Sequence, residues 1–105
     1  MKRHWFFILL SLAERDRYGS EIQEDVRALS EGSVRLWPAT LYGSLEELVE
    51  RRWIRELAHA EVPTAGGARS RFYRLSPEGR RALIEEIERT EALARTARGR
   101  LQADT

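Results

Sequence analysis

The sequence predicts a mainly α-helical domain with one small β-hairpin and a long C-terminal helix. Three observations predict it. Apolar residues recur at helical spacing in four separate stretches. Two short segments that read as strands, 53–57 and 71–75, flank a loop holding Pro63, Gly66 and Gly67. After Pro77 no proline interrupts the chain.

The chain has 105 residues and no cysteine. That length fits one small domain, which buries roughly 60–70% of the surface it exposes unfolded. Disulfide frameworks and thiolate metal or redox sites are excluded. The only histidines, His4 and His59, lie far apart in sequence. No Ser/His/Asp set, phosphate loop or paired carboxylates stand out, so no enzyme, cofactor or metal site is expected. The longest apolar run, 5–10, falls well short of the ~20 residues that span a bilayer. It is read as a core helix of a soluble cytoplasmic protein.

Trp5, Ile8, Leu9 and Leu12 mark a first helix over about 3–13. Its other side carries Phe6, Phe7 and Leu10, so it is apolar nearly all round and expects burial on two sides. Ile22, Val26 and Leu29 mark a second helix over about 19–29. Its early acids, Glu21, Glu24 and Asp25, suit the positive end of the helix dipole. Residues 34–37 alternate and predict a very short strand. Pro38 then opens a third helix, about 39–51, with Leu41, Leu45, Leu48 and Val49 on its apolar face. Trp37 and Trp53 are read as core. In the second hairpin strand, Tyr73 and Leu75 are expected inward, with Phe72 and Arg74 outward or interfacial.

Ser76 is a natural N-cap for the last helix, with Pro77 at its first position. Leu83, Ile87, Thr90, Ala94, Ala97 and Leu101 repeat at spacings of four and three, a heptad-like seam. A helix of ~24 residues is ~36 Å long, longer than so small a domain can cover. The seam, together with Trp5 and Phe6 of the first helix, is therefore the expected dimer interface. Residues 1–75 form the expected binding domain and 76–105 the dimerisation helix, within one structural unit. Glu85, Glu86, Glu88 and Glu91 read as a solvated face.

Net charge is +1, but residues 51–81 hold eight arginines against three glutamates, while the first fifty residues are acidic. A local basic patch on a balanced chain points to a polyanion. Helix, helix, helix, hairpin, long helix is the layout of a winged helix-turn-helix. A helix with a small, polar leading end can enter a major groove, and an arginine-bearing hairpin can reach a neighbouring phosphate.

Three stretches, Tyr18-Gly19-Ser20-Glu21-Ile22, Pro38-Ala39-Thr40-Leu41-Tyr42 and Arg71-Phe72-Tyr73-Arg74-Leu75-Ser76-Pro77-Glu78-Gly79, resemble signatures of PadR-family transcriptional regulators. The resemblance runs from Phe7 to about Leu101. It implies a bacterial winged-helix homodimer that represses transcription and dimerises through its C-terminal and first helices. Two residues depart from the pattern. Arg52 stands where members often have Gly, so either it takes a left-handed cap at a cost of about 1 kcal/mol or the helix ends differently here, and Trp53 stands where many have Leu or a small residue.

Thr40 and Ser44 are the candidate base or phosphate contacts, and Tyr42, Arg69 and Arg71 the candidate phosphate contacts. Tyr18 and Ser20 would touch the DNA backbone from the start of the second helix. Trp5, Phe6 and Phe7 are candidates for a small aromatic effector. The expected function is a repressor acting as a homodimer on a pseudo-palindromic site in double-stranded DNA. The competing reading is a winged-helix protein-interaction module without DNA binding, motivated by Glu46, Glu47 and Glu50 on the third helix.

Overall fold

The computed structural model describes residues 1–58 and 71–103. Its elements run α1 (Arg3–Glu14), β1 (Arg17–Tyr18), α2 (Gly19–Leu29), α3 (Pro38–Glu50), β2 (Ile54–Glu56), β3 (Phe72–Leu75) and α4 (Pro77–Ala103). The helices stand within a few residues of their expected limits. The apolar faces of α1, α2 and α3 meet in one core of Ile8, Leu9, Leu12, Ile22, Val26, Leu41, Leu45 and Leu48, joined by Ile54, Tyr73 and Leu83. Among the described residues, no helix is long and apolar enough to cross a membrane.

Among the described residues the sheet has three strands, ordered β1-β3-β2, rather than the two of a lone hairpin. Tyr18 pairs with Phe72 and Arg17 with Tyr73 on one side of β3, while Ile54 pairs with Leu75 on the other. β3 is therefore the middle strand, and this corrects the outward placement of Phe72. The Tyr18 ring covers it edge-on at 4.6 Å, leaving Phe72 buried like Tyr73. Arg74 does point outward and pairs with Asp16 at 2.9 Å. β1 depends on a buried arginine. Arg17 Nε donates to the Ser11 carbonyl at 3.0 Å, and its guanidinium lies 3.3 Å from Glu14 and 3.5 Å from Asp25. In sequence Arg17 is merely one of four alternating charges, which hid both the strand and the burial.

The expected strand at 34–37 is absent. Side chains take the backbone groups a ladder would use. Ser30 Oγ accepts the Val34 N–H at 3.0 Å, Ser33 Oγ donates to the Ser30 carbonyl at 2.8 Å, and Gln23 Nε2 donates to the Leu36 carbonyl at 2.5 Å. Leu36 turns inward. Trp37, its neighbour of opposite parity, is 66% exposed and is not core. Trp53 is half-buried against the core, as expected in part.

α3 ends in a Schellman motif. The Trp53 N–H donates to the Leu48 carbonyl at 3.0 Å and the Arg52 N–H to that of Val49 at 2.9 Å, with Arg52 at φ 63°. The left-handed position anticipated for Arg52 is real. α4 is docked onto this turn. Ser76 Oγ caps α4 by accepting the Gly79 N–H at 2.9 Å and also donates to the Arg52 carbonyl, while the Ser76 N–H binds the Trp53 carbonyl at 3.0 Å. A Cβ at residue 79 would stand 1.9 Å from the Trp53 carbonyl oxygen. Glycine there lets the first turn of α4 lie directly on the backbone of the turn that precedes β2.

Two expectations for the dimer seam change. Leu83 is buried in its own protomer, because α4 still lies over α1 at that depth. Trp5 is likewise only 3% exposed, edge-on to Trp53 at 6.0 Å and flanked by the Lys2 and Arg51 cations at 4.9 and 4.8 Å. Trp5 thus packs into the core of its own protomer, with one edge on a shallow cleft it shares with Lys2, Arg51 and Arg89. From Ile87 onward α4 is exposed through Thr90, Ala94, Ala97 and Leu101.

Candidate nucleic-acid interface

The three signature stretches converge on one spot. Gly19 opens α2, and its N–H donates to the Arg71 carbonyl at 3.1 Å, so the start of β3 is tied to the start of α2. Tyr42, in the second turn of α3, lays its ring over Gly19. A Cβ there would meet the Tyr42 hydroxyl at 2.8 Å and the ring at 3.2 Å. The Arg71 guanidinium stands 6.0 Å from the centroid of the same ring. A helix N-terminus, a phenol and an arginine thus share one exposed corner.

The chemistry of that corner suits a phosphate. Arg71 is exposed and donates to the Tyr73 hydroxyl, which together with the nearby Glu56 and Glu46 carboxylates holds the guanidinium still more firmly protonated. Burial pushes the Tyr73 phenol up, so that hydroxyl stays neutral at physiological pH. Tyr18 is the N-cap of α2. Its N–H donates to the Glu21 carboxylate at 2.8 Å, a bond that holds Glu21 below its ordinary carboxylate value. The Tyr18 ring is half-buried on Phe72, and Ser20 beside it is exposed.

Along α3, Pro38, Ala39, Thr40 and Gly43 are exposed and Tyr42 is 36% exposed. The leading end is therefore small, polar and open. Ser44 is not part of it. It is 3% exposed and lies 3.0 Å from His4 Nε2. Positions 41, 44, 45 and 48 make one helical face, so the leucines around it carried the signal that Ser44 turns inward. Arg69 lies outside the described residues. Trp37 joins the exposed surface immediately before α3. Its parity with buried Leu36 and its place before Pro38 were the readable signs. Phe6 and Phe7 are half-buried and line a shallow cleft with Arg3 and Thr90.

The family model of the transcriptional regulator PadR-like family matches residues 8–85. The chain belongs to the PadR-like family. It is a DNA-binding transcriptional regulator with the winged-helix fold, and the family is one of regulators rather than enzymes. An uncharacterized protein of Lysinibacillus sphaericus is 30% identical over 81 residues, 77% of this chain and 72% of that one. A transcriptional regulator from Clostridium thermocellum is 26% identical, with a TM-score of 0.71 over 89% of this chain and 84% of the other. A PadR family transcription regulator from Clostridium difficile shares the fold at a TM-score of 0.73 and 24% identity, covering 90% of this chain and 94% of that structure. In this PadR-like regulator the convergence of Gly19, Tyr42 and Arg71 explains why the three stretches occur together: each supplies one wall of the same corner.

Proposed function

We propose that this regulator is a cytoplasmic repressor that binds a pseudo-palindromic operator as a homodimer. The leading turns of α3 enter the major groove, with Thr40 at base edges or phosphate. Tyr42 and Arg71 hold the adjacent phosphate, and Tyr18 and Ser20 approach the backbone from the start of α2. The observation that carries this reading is the Arg71 guanidinium standing 6.0 Å from the Tyr42 ring, which puts the arginine-bearing strand and the recognition helix on a common side.

Residues 1–75 act as the DNA-binding part and 76–105 as the dimerisation helix. The support for a partner is the apolar surface left on α4, where Leu93 is 68% and Leu101 70% exposed and Ile84 and Ile87 are also open. Ile87, Thr90, Ala94, Ala97 and Leu101, with Phe6 of α1, would meet the same surface of a second copy. A small aromatic effector would enter beside Phe6 and Phe7, which line a cleft with Arg3 and Thr90 and are more open than Trp5.

Selection of bound fragments from the source genome tests the proposal. The expected product is a pseudo-palindrome with half-sites about one helical turn, ~34 Å, apart. Affinity should fall steeply with salt as phosphate counterions are released. No retained fragment at low salt would favour the protein-interaction reading, to which the exposed Glu46 and Glu50 of α3 lend some ground. A monomeric mass by light scattering would overturn the homodimer.

A further inference from the structure

A second corner of the same surface has no assigned role. A cleft between α2 and the segment leading into α3 is lined by Ser20, Gln23, Arg27, Arg35 and Trp37, with Glu24 as its one acid. Several arginines elsewhere are engaged by carboxylates: Arg15 by Glu21, Arg17 by Glu14 and Asp25, Arg74 by Asp16, and Arg89 by Glu86. Arg27 and Arg35 are exposed and form no ion pair among the described residues. Glu24 pairs with neither of them, so two cations against one acid leave the cleft net positive and favour an anion there. A planar fork of N–H donors matches phosphate oxygens.

Trp37 forms the outer wall. It is the most exposed aromatic among the described residues, at 66%. Its exposure is built in. Leu36 is anchored in the core, and its carbonyl is held by Gln23 Nε2. Pro38 confines Trp37 to extended backbone, observed at φ −69° and ψ 154°. The ring is thus presented at little further entropic cost, ready to cover a sugar or to offer its indole N–H to a phosphate oxygen. Trp37 immediately precedes α3, so this wall is continuous with the helix placed in the groove.

We propose that Arg27, Arg35 and Trp37 form a second backbone-binding site for double-stranded DNA at the junction of α2 and α3, a reading that rests on the DNA-binding proposal above. A phosphate sits between the two guanidiniums, and Trp37 packs against the neighbouring deoxyribose.

The test measures duplex affinity across a salt series for the full chain and for Arg27→Gln, Arg35→Gln and Trp37→Ala, with Arg80→Gln on α4 as a control of equal charge change. All four positions are exposed, and the variants should melt as the parent does. Each of the two cleft arginine variants should reduce the slope of log affinity against log salt by about one and weaken binding to unrelated sequences alike. Trp37→Ala should weaken binding about tenfold at fixed salt and leave the slope unchanged. If the parent binds and these variants lose no more than Arg80→Gln, the second site is overturned while the DNA reading stands. If the parent retains no duplex at low salt, the DNA reading falls and the site falls with it.

Discussion

The Tyr42 hydroxyl occupies the space that a side chain at Gly19 would need, with an ideal Cβ falling 2.8 Å from it. The glycine at the head of α2 therefore has a steric purpose. It lets α3 lean its phenol on the backbone of the neighbouring helix, and the Arg71 carbonyl secures that backbone from the other side. Local helix geometry does not require glycine here, because the constraint comes from another element.

Gly19→Ala should separate binding from stability. The conflicting atoms are the far end of a half-exposed side chain, which can swing outward. Stability should stay within about 1 kcal/mol of the parent, partly offset by alanine's better helix propensity. If Tyr42 makes the phosphate contact proposed for it, DNA affinity should fall roughly tenfold as the phenol is displaced. In a double-mutant cycle, Gly19→Ala on a Tyr42→Ala background should cost almost nothing further. Additive losses would show that Tyr42 is not the intermediary.

Gly79→Ala should behave in the opposite way. The obstacle is the Trp53 carbonyl oxygen, 1.9 Å from the added methyl, and backbone cannot step aside. The α4 N-terminus would have to lift off, breaking the Ser76 capping bonds. We expect a loss of about 2 kcal/mol or more by urea denaturation. Gly99 is a useful contrast, since a Cβ there meets nothing within 4 Å. Gly99→Ala should stabilise by about 0.5–1 kcal/mol.

What the sequence made legible follows from how local each signal is. The apolar spacings located α1 to α4, because each helix buries a face whose period is set by its own backbone. Ser76 as a cap was readable for the same reason, since a cap is decided within a few residues, whereas the left-handed position of Arg52 was suggested only by the family resemblance. β1 was not readable, because two residues carry no periodicity and its stability comes from pairing with β3 and from Arg17 reaching Ser11, Glu14 and Asp25. Phe72 was misplaced as a direct consequence, since its cover is the strand that went unseen. At the interface, Tyr42 and Arg71 were legible as chemical types, but their meeting over Gly19 was not. Ser44 was misread because a serine suggested a polar contact, while the leucines around it already placed it on the buried face.

Arg52→Gly should stabilise the fold. The residue holds φ 63° at the end of α3, where an L side chain crowds the following carbonyl at a cost of roughly 1 kcal/mol. Glycine keeps both Schellman hydrogen bonds and removes that crowding. Chemical denaturation should show a gain of about 1 kcal/mol. DNA affinity should be unchanged, since position 52 is at the far end of α3 from Thr40. A loss of stability would mean that the Arg52 side chain supplies an interaction larger than the strain it causes.

His4 should make stability depend on pH in a defined direction. Its ring is half-buried and 3.0 Å from Ser44 Oγ. Burial lowers its pKa below the ordinary value, Lys2 lowers it further, and Glu47, itself 3.3 Å from Lys2, opposes the shift. The unfolded imidazole titrates near about 6.5. Above that value both states are neutral and the His4 contribution is fully present. As pH falls below it, the unfolded chain takes up a proton that the folded chain resists, so stability drops until the lowered folded pKa is passed, and then levels off. Urea midpoints measured from pH 8 down to 5 should show this decline, and His4→Asn should flatten it. Lys2→Gln should shrink it, because removing the cation also frees Glu47 to favour the imidazolium. The same shift should be visible by NMR, the His4 signal titrating below the ordinary imidazole value. A decline that persists undiminished in His4→Asn would assign the pH dependence to another group.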